Sequence, residues 1–538
     1  MRHTIGICLI LIAVLVTTEG CGGEDCTFAG EKTASEIAVA TVSESGGLDP
    51  AGVIANTFLA YSVSALDELL TYDSNGEIEY RAAESYEVND EQTQWTFHLR
   101  ENAVWSDGSP VISEDFCNTI RRSLDPLSGN GYVNYLFPIR HAEAIYRGEK
   151  DMSELGVETP DDHTLVFYLE KPCVYFLDLL RLPVYLPSCS AYADDVGSGW
   201  DVNPATSVSN GPYFLADYVP QQYFVLKKNQ RYWNASSILI EQIKYCFFDS
   251  QQAMEAAYKT EEIDVATGLL SAVMDEYEGK KDLLITNSIA TRYIYMNLDK
   301  VEAFKDIRVR KALNLGINRE ELCRMIGKDT EPSMNFVAKY MQDKTTGDYF
   351  AEGEAVLFEE NAEKARELLA RAGYPGGKGF PEITYSYPAA EMDSDTAQAL
   401  QQQLEKNLGI TIKLNAQELQ VNYSERRAGN FELCRMNWTA DFADPNTFLS
   451  MLRSDSAYNC SGIRDEFYDE LLDASDVERD PVKRIGMLHE AERYAVAEQN
   501  YIIPLFSMRS VNLVRPDIEG ITQIPATGAL DYRHASVK

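Results

Sequence analysis

The stretch FELCRMNWTADFADPNTFLSML, residues 431–452, decides how the rest of the chain is read. It opens as a strand-like run, FELCRMNW, and closes as an apolar segment able to begin a helix. Between them lie the ring of Trp438 and the carboxylates Asp441 and Asp444, with Glu432 and the cation Arg435 just before. A strand-to-loop junction carrying an aromatic plane, an anionic oxygen and a guanidinium is a grip suited to a zwitterionic ligand. The same residues also fit a plain surface loop pinned by a buried tryptophan, and the stretch alone does not separate the two. A straight strand puts Arg435 and Trp438 on opposite faces. Both reach one ligand only if the backbone bends there, or if one supports the other.

Bulk composition narrows the class. At 538 residues the chain exceeds one ordinary core, so two or three domains are expected. Hydrophobic residues at 45% and charged residues at 25% describe a folded protein rather than a disordered one. The formal charge of -36 argues against nucleic acid as a partner and against a polybasic grip on anionic lipid. It suits cationic solutes and a solvated acidic exterior equally well. Thirty-one tyrosines against five tryptophans supply amphipathic rings, for a pocket wall or for packing large sheets.

The N-terminus reads as an address. Arg2 and His3 precede the apolar run IGICLILIAVLV at 5–16, which is shorter than the roughly 20 residues that span a bilayer. Small residues follow, so cleavage after Gly20 makes Cys21 the candidate lipid-bearing residue, with 21–30 as a tether. Thr18 stands where a bacterial lipobox usually carries an aliphatic residue, and ordinary cleavage to a free mature chain is the alternative. Eight cysteines remain beyond Cys21, and none forms a C-x-x-C pair, so neither a zinc nor a thioredoxin-like site has its spacing. Export permits disulfides, and Cys173 with Cys189 closes a short loop. His141 and His163 each stand without a partner at i+2 to i+4, which favours structural roles over metal binding.

Periodicity supplies a coarse order of elements. A strand is expected over 36–42, a loop at 44–50, and a helix over 58–70 with Leu59, Val63, Leu66 and Leu70 on one stripe, ended by the DSNG turn at 73–76. WTFHL at 95–99 reads as a strand, Asp107–Gly108 as a turn, and Ser113 as the cap of a helix whose buried face begins at Phe116. A hairpin-like unit follows at 156–169, then paired strands about a turn at 219–222, a strand at 238–248 and a helix at 252–257. YIYMN at 293–297 alternates as a crossing strand. Arg308, Arg310 and Lys311 tempt an anion-site reading, but with acids nearby they read as a solvated helix face. Strand 381–387, helix 395–408 and strand 410–414 form a parallel βαβ crossover. The deciding stretch therefore follows a strand of this second sheet, where α/β folds commonly place ligands. A helix at 480–498 and strand-like runs at 501–506 and 510–514 complete the chain.

Four motifs carry a family resemblance: RENAVWSDGSPVISEDF at 100–116, GPYFLADYVPQQYFVLKKNQRYW at 211–233, the F-x-D-x-R-V-R-x-A-L pattern from Phe304, and W-x-A-D-x-x-D-P-x-x-F-L from Trp438. In this order they resemble family 5 of the extracellular solute-binding proteins, the oligopeptide- and dipeptide-binding lipoproteins of ABC importers. The chain departs at ESGGLDP, where Ser45 replaces the proline of the family's E-P-x-x-L-D-P. The resemblance implies an α/β fold of the periplasmic-binding-protein-like type II, two lobes around a hinged cleft with an extra inserted domain. Carried onto this numbering, residues 1–20 form a signal peptide, 31–77, 205–290 and 507–538 lobe I, 78–204 the inserted domain, and 291–506 lobe II.

The implied function is capture of short oligopeptides or dipeptides outside the membrane and delivery to a permease heterodimer with its ATPases, by a monomer lipid-anchored at the extracytoplasmic face of the cell membrane. No cofactor and no metal are implied. Asp441 takes the role of holding the peptide α-ammonium, Trp438 keeps that acid dry, and Arg435 stands where some members pair a peptide carboxylate. Tyrosines and asparagines near the LDP and GNG loops are further groove candidates. Relatives of the same architecture suggest other cargoes: a nickel chelate, haem, an oligosaccharide or an opine-like compound. A ligand sensor has the same binding part. An enzyme is not expected: Asp441 and Asp444 mimic a glycosidase pair, but G-x-S-x-G, H-E-x-x-H and P-loop patterns are lacking.

Overall fold

Strands Leu283–Met296 and Ile502–Val514 run antiparallel side by side, and the architecture hangs on them. Both are rich in β-branched and aromatic residues, and their side chains alternate between two buried faces. Tyr293 and Tyr295 join one core with Ile502, while Ile294 and Met296 join another with Ile503 and Leu505. Burying each such aliphatic or aromatic side chain is worth about 1.5–3 kcal/mol, so this stretch of strand is anchored from both sides. The ladder shifts register twice, between Asn287 and Thr291 and between Arg292 and Tyr293. Asn287 pairs with Arg509 and Thr291 with Ser507, so residues 288–290 lie opposite Met508 alone, a bulge that bends the pair.

On either side of this pair one eleven-stranded sheet extends. Beyond Leu283–Met296 lie Leu433–Thr439, Ile383–Pro388 and, at the edge, Ile412–Gln417. The last two are parallel and joined by helix Glu391–Leu408, the expected βαβ crossover. Beyond Ile502–Val514 lie Val265–Ala266, Glu36–Val42, Gln242–Phe248, Tyr223–Lys228 and Tyr213–Val219, while Thr330–Pro332 pairs with Ile502–Val514 off this path. A separate four-stranded antiparallel sheet holds Ala83–Val88, Gln94–Leu99, Thr164–Tyr168 and Val157–Asp161. Helix Ser113–Ser123 is neighbour to its last two strands and buries Phe116 and Ile120.

The computed structural model describes residues 33, 35–42, 47–52, 56–72, 77–193, 199–353, 356–524 and 528–538. The expected signal peptide 1–20, Cys21, the tether, Ser45 and the turn at 73–76 lie outside the described residues. Among the described residues no helix is long and apolar enough to cross a membrane.

Several local expectations are corrected. The helix expected over 58–70 spans Asn56–Ala65, and Leu70 opens the strand Leu70–Tyr72. Its end is set by long-range partners that take the carbonyls a further turn would need. Gly211 N–H donates to Ala65 O at 3.0 Å and Asn210 Nδ2 to Asp67 O at 3.0 Å, while Arg533 Nη2 reaches Val63 O at 2.9 Å. Ser113 is not a cap: it is the first helical residue, its hydroxyl donates to Asp161 O at 2.6 Å, and Asp115 accepts from Ile112 N–H instead. Arg310 is no solvated-face residue. It is buried and donates to the carbonyls of Phe304 and Gln499, tying a helix start to a distant loop. Cys173 and Cys189 are both free and buried, so the short loop is not closed by a disulfide.

Candidate functional site

Where strand Leu433–Thr439 runs out, the chain turns and begins the short helix Asn446–Leu449. The turn is held at each step. Ala440 N–H donates to Ile289 O at 2.8 Å, Asp441 N–H to Thr447 Oγ1 at 3.2 Å, and Asn446 N–H to Asp444 Oδ1 at 2.9 Å. Asp444 is buried and takes both Nη groups of Arg484, at 2.6 and 2.8 Å. That bidentate pair holds the Asp444 carboxyl below its ordinary pKa despite burial, and uses Asp444 for structure.

Asp441, by contrast, is half-buried and faces a cavity of about 320 Å³. The wall includes Leu59, Val63, Leu66, Tyr132, Leu182 and Phe442. Desolvation by this apolar wall raises the Asp441 pKa to about 6, and hydrogen bonds from the phenols of Tyr135 and Tyr132 only partly oppose the rise. No ion pair to it is formed among the described residues, although Arg181 and Arg533 line the same cavity. The Tyr135 hydroxyl donates to Asp441 Oδ2, and Tyr175 stacks on Phe442 with ring centroids 5.3 Å apart, so residues before the first crossing strand meet residues lying between the two in sequence. Lys344 donates to both carboxylate oxygens of Asp178, another wall residue, at 2.6 Å.

Trp438 and Arg435 lie on opposite faces of the strand. Trp438 shares its face with Cys434 and Met436 and meets Tyr458 edge-on, centroids 4.9 Å apart, outside the cavity wall. Its indole N–H is buried without a partner. Arg435 points the other way, where its Nε donates to Asp393 Oδ1 at 2.8 Å. The same oxygen lies 3.2 Å from Arg292 Nη1. A second cavity, about 440 Å³, adjoins this face and is lined in part by Arg292, Asp329, Met392, Asn437 and Arg509; Thr439 borders both cavities.

Sequence reasoning located Asp441 but met the Tyr132 and Tyr135 phenols only as generic neighbours of the GNG loop, and it passed over Arg292 altogether. The signal for Arg292 is a lone cation in TRYIYMN, a strand otherwise apolar and aromatic. Among the described residues no group of three or more His, Cys, Asp or Glu is arranged to hold a metal.

Two lobes spanned by paired crossing strands, with cavities beside the crossing, define a bilobed binding protein of the type II periplasmic-binding-protein-like fold. The chain belongs to the bacterial extracellular solute-binding proteins, family 5, whose model matches residues 77–460. It is 30% identical over 488 residues to the periplasmic oligopeptide-binding protein OppA of Escherichia coli, covering 89% of this chain and 88% of that one. It is 29% identical over 497 residues to the probable deoxycholate-binding periplasmic protein YgiS of the same organism, covering 91% and 90%. Among solved structures, the periplasmic oligopeptide-binding protein OppAIV of Borrelia burgdorferi superimposes with a TM-score of 0.79 at 28% identity, covering 94% of this chain and 100% of that one. The family is one of binding proteins, and the chain is not an enzyme.

Proposed function

We propose that the protein captures short peptides by their free α-ammonium at Asp441 and releases them to a permease. Membership of family 5 makes it the substrate-binding component of an ABC importer, outside the cytoplasmic membrane, with a permease and its ATPases as partners. Likeness to oligopeptide binders makes peptides the cargo. The observation that carries the ligand reading is Asp441 itself, a carboxylate on a largely apolar cavity wall with phenol donors but no ion-pair partner among the described residues. A ligand ammonium supplies the missing charge, and closure of the lobes about the crossing strands dries the pair. Trp438 acts behind the site through Tyr458, and Arg435 acts through Asp393.

The finer organisation follows the same reading: lobe I at 31–77, 205–290 and 507–538, the inserted domain at 78–204, lobe II at 291–506, and a monomer anchored by diacylglyceryl-modified Cys21. Mass spectrometry of the membrane-extracted protein should give a mature chain beginning at modified Cys21; an unmodified Cys21 removes the anchor from the account. The cargo is tested by calorimetry with peptides of two to five residues, beside nickel chelates, oligosaccharides and deoxycholate. The likeness to YgiS makes a bile-acid carboxylate the second reading. Binding of deoxycholate without binding of any peptide would replace the first with it.

A further inference from the structure

Two side chains from the segment between the crossing strands reach residues that precede both strands in sequence. Lys344 Nζ donates to both carboxylate oxygens of Asp178 at 2.6 Å and lies 4.9 Å from the centroid of the Tyr72 ring. Arg479 Nη1 donates to Asp90 O at 2.6 Å, and its Nη2 to Glu91 O at 3.0 Å. These bonds span 166 to 389 residues of sequence, and every atom in them belongs to the chain.

Each partner is set in place by its own side. Gln92 takes a left-handed backbone, φ 56°, in a turn where Asn89 Oδ1 accepts from Thr93 N–H at 2.9 Å and Gln94 N–H at 3.0 Å. That turn offers two successive carbonyls to one guanidinium. On the facing side, Asp343 is buried, and its Oδ1 accepts from Thr345 N–H at 2.8 Å and from Thr345 Oγ1 at 2.6 Å, which fixes the loop that carries Lys344. Little ordering entropy is left to lose when the two sides meet.

Asp178 anchors the stronger contact. Its side chain is 5% exposed, whereas Lys344 keeps 45% of its side chain in water, so the lysine surrenders little hydration for two charge-assisted bonds. Arg181 also acts on Asp178, but from the same segment, and Asp444 on the facing side is already held by both Nη groups of Arg484. The Arg479 bonds are exposed and weaker. A cavity of about 230 Å³ lies beside these contacts, with Trp95, Asp178, Lys344, Arg479 and Pro481 in its wall. The two sides meet here through polar groups around open space rather than through a packed apolar seam, which lets them part again.

We infer that Lys344 and Arg479 form a latch that holds the lobes closed ahead of cargo. This rests on closure about the crossing strands and not on what the cargo is. The apparent dissociation constant is the intrinsic one divided by the fraction of protein in the binding-competent, closed form. A latch that raises this fraction tightens every ligand alike and leaves the choice between ligands to the cavity.

The test is small-angle X-ray scattering on the full chain with and without tri-alanine, and calorimetry with tri-alanine and its N-acetyl form, for wild type, R479M and K344M/R479M. Wild type should keep one radius of gyration with and without peptide. K344M/R479M should expand without peptide and return to the wild-type radius when saturated. Its affinity for tri-alanine should fall about tenfold, as when the closed fraction drops to about a tenth. Its preference for the free over the N-acetyl peptide should match that of wild type. R479M leaves the buried pair intact, so it should expand part-way, and it decides the matter if K344M/R479M does not fold. A wild type that contracts on adding peptide, or variants as compact as wild type, overturns the inference. So does a lost preference in K344M/R479M, which makes these residues ligand contacts. If wild type binds neither peptide, the peptide reading falls, while the peptide-free radii of the three proteins still decide the latch.

Discussion

The hydroxyl of Tyr135 donates to the carboxylate of Asp441 across 306 residues of sequence, joining the residues around the four-stranded sheet to the distal end of the large one. The bond occupies an oxygen that a ligand ammonium would also seek. Under the proposed function it would act as a placeholder, keeping the acid positioned until cargo arrives.

Replacing Asp441 with Asn keeps the side chain's shape and removes its charge. Losing one partner of a buried charged pair costs about 2–5 kcal/mol, roughly 30- to several thousand-fold in affinity for free peptides. Discrimination against N-acetylated peptides should vanish with it. Calorimetry with a free peptide and its acetylated twin reads both effects; a D441N protein that still rejects the acetylated twin shows that the ammonium binds elsewhere.

Burial pushes the Asp441 carboxyl up to about 6 in the folded protein, above the ordinary 3.8 of an aspartate. Folding therefore takes up proton at this group between those values. Its contribution to stability is present at low pH and lost as pH rises through about 6. Ligand binding runs the opposite way, since an ammonium needs the ionised acid. Affinity for free peptides should fall as pH drops below about 6, and binding there should release a proton. Calorimetry near pH 5.5 in two buffers of different ionisation enthalpy measures that release, which D441N should abolish.

Tyr135→Phe removes a bond that favours the ionised form of Asp441. The pH midpoint for peptide affinity should move upward, with the fold intact because the ring's edge contact with Phe442 remains. A midpoint that stays in place would assign control of this acid to its other neighbours.

Asp444→Asn differs in kind. It leaves Arg484 buried with a neutral partner, and breaking a buried pair from one side costs about 3–5 kcal/mol of stability. Thermal denaturation should show the loss, while the Asp444→Asn protein that remains folded keeps its preference for a free N-terminus. Replacing both members with apolar residues of similar volume should recover much of the stability.

How far the sequence was legible depends on where each interaction's partner lies. The βαβ unit at 383–417 and the turn after Trp438 are written in local periodicity and turn chemistry, and both are found as expected. The opposed faces of Arg435 and Trp438 follow from strand alternation alone. The end of helix Asn56–Ala65 is not local: it depends on Asn210, Gly211 and Arg533. Arg310 looked like surface because its helical spacing placed acids nearby, whereas its partners are carbonyls beyond any spacing rule. Arg292 went unread for the complementary reason, since a lone cation in an apolar strand has no motif until its shared carboxylate is seen.

Strand Ile502–Val514 follows every other strand of the eleven-stranded sheet in sequence and sits in its interior. A chain emerging from a membrane pore N-terminus first thus reaches the far side with its main sheet open along the middle. Assembly is a late, single closure that pairs residues far apart in sequence, which makes it slow. Until then the edges of Leu283–Met296 and Val265–Ala266 remain templates for wrong partners. A chain stopped at residue 501 should lose the protease resistance of both lobes together, because the missing strand is the seam between them.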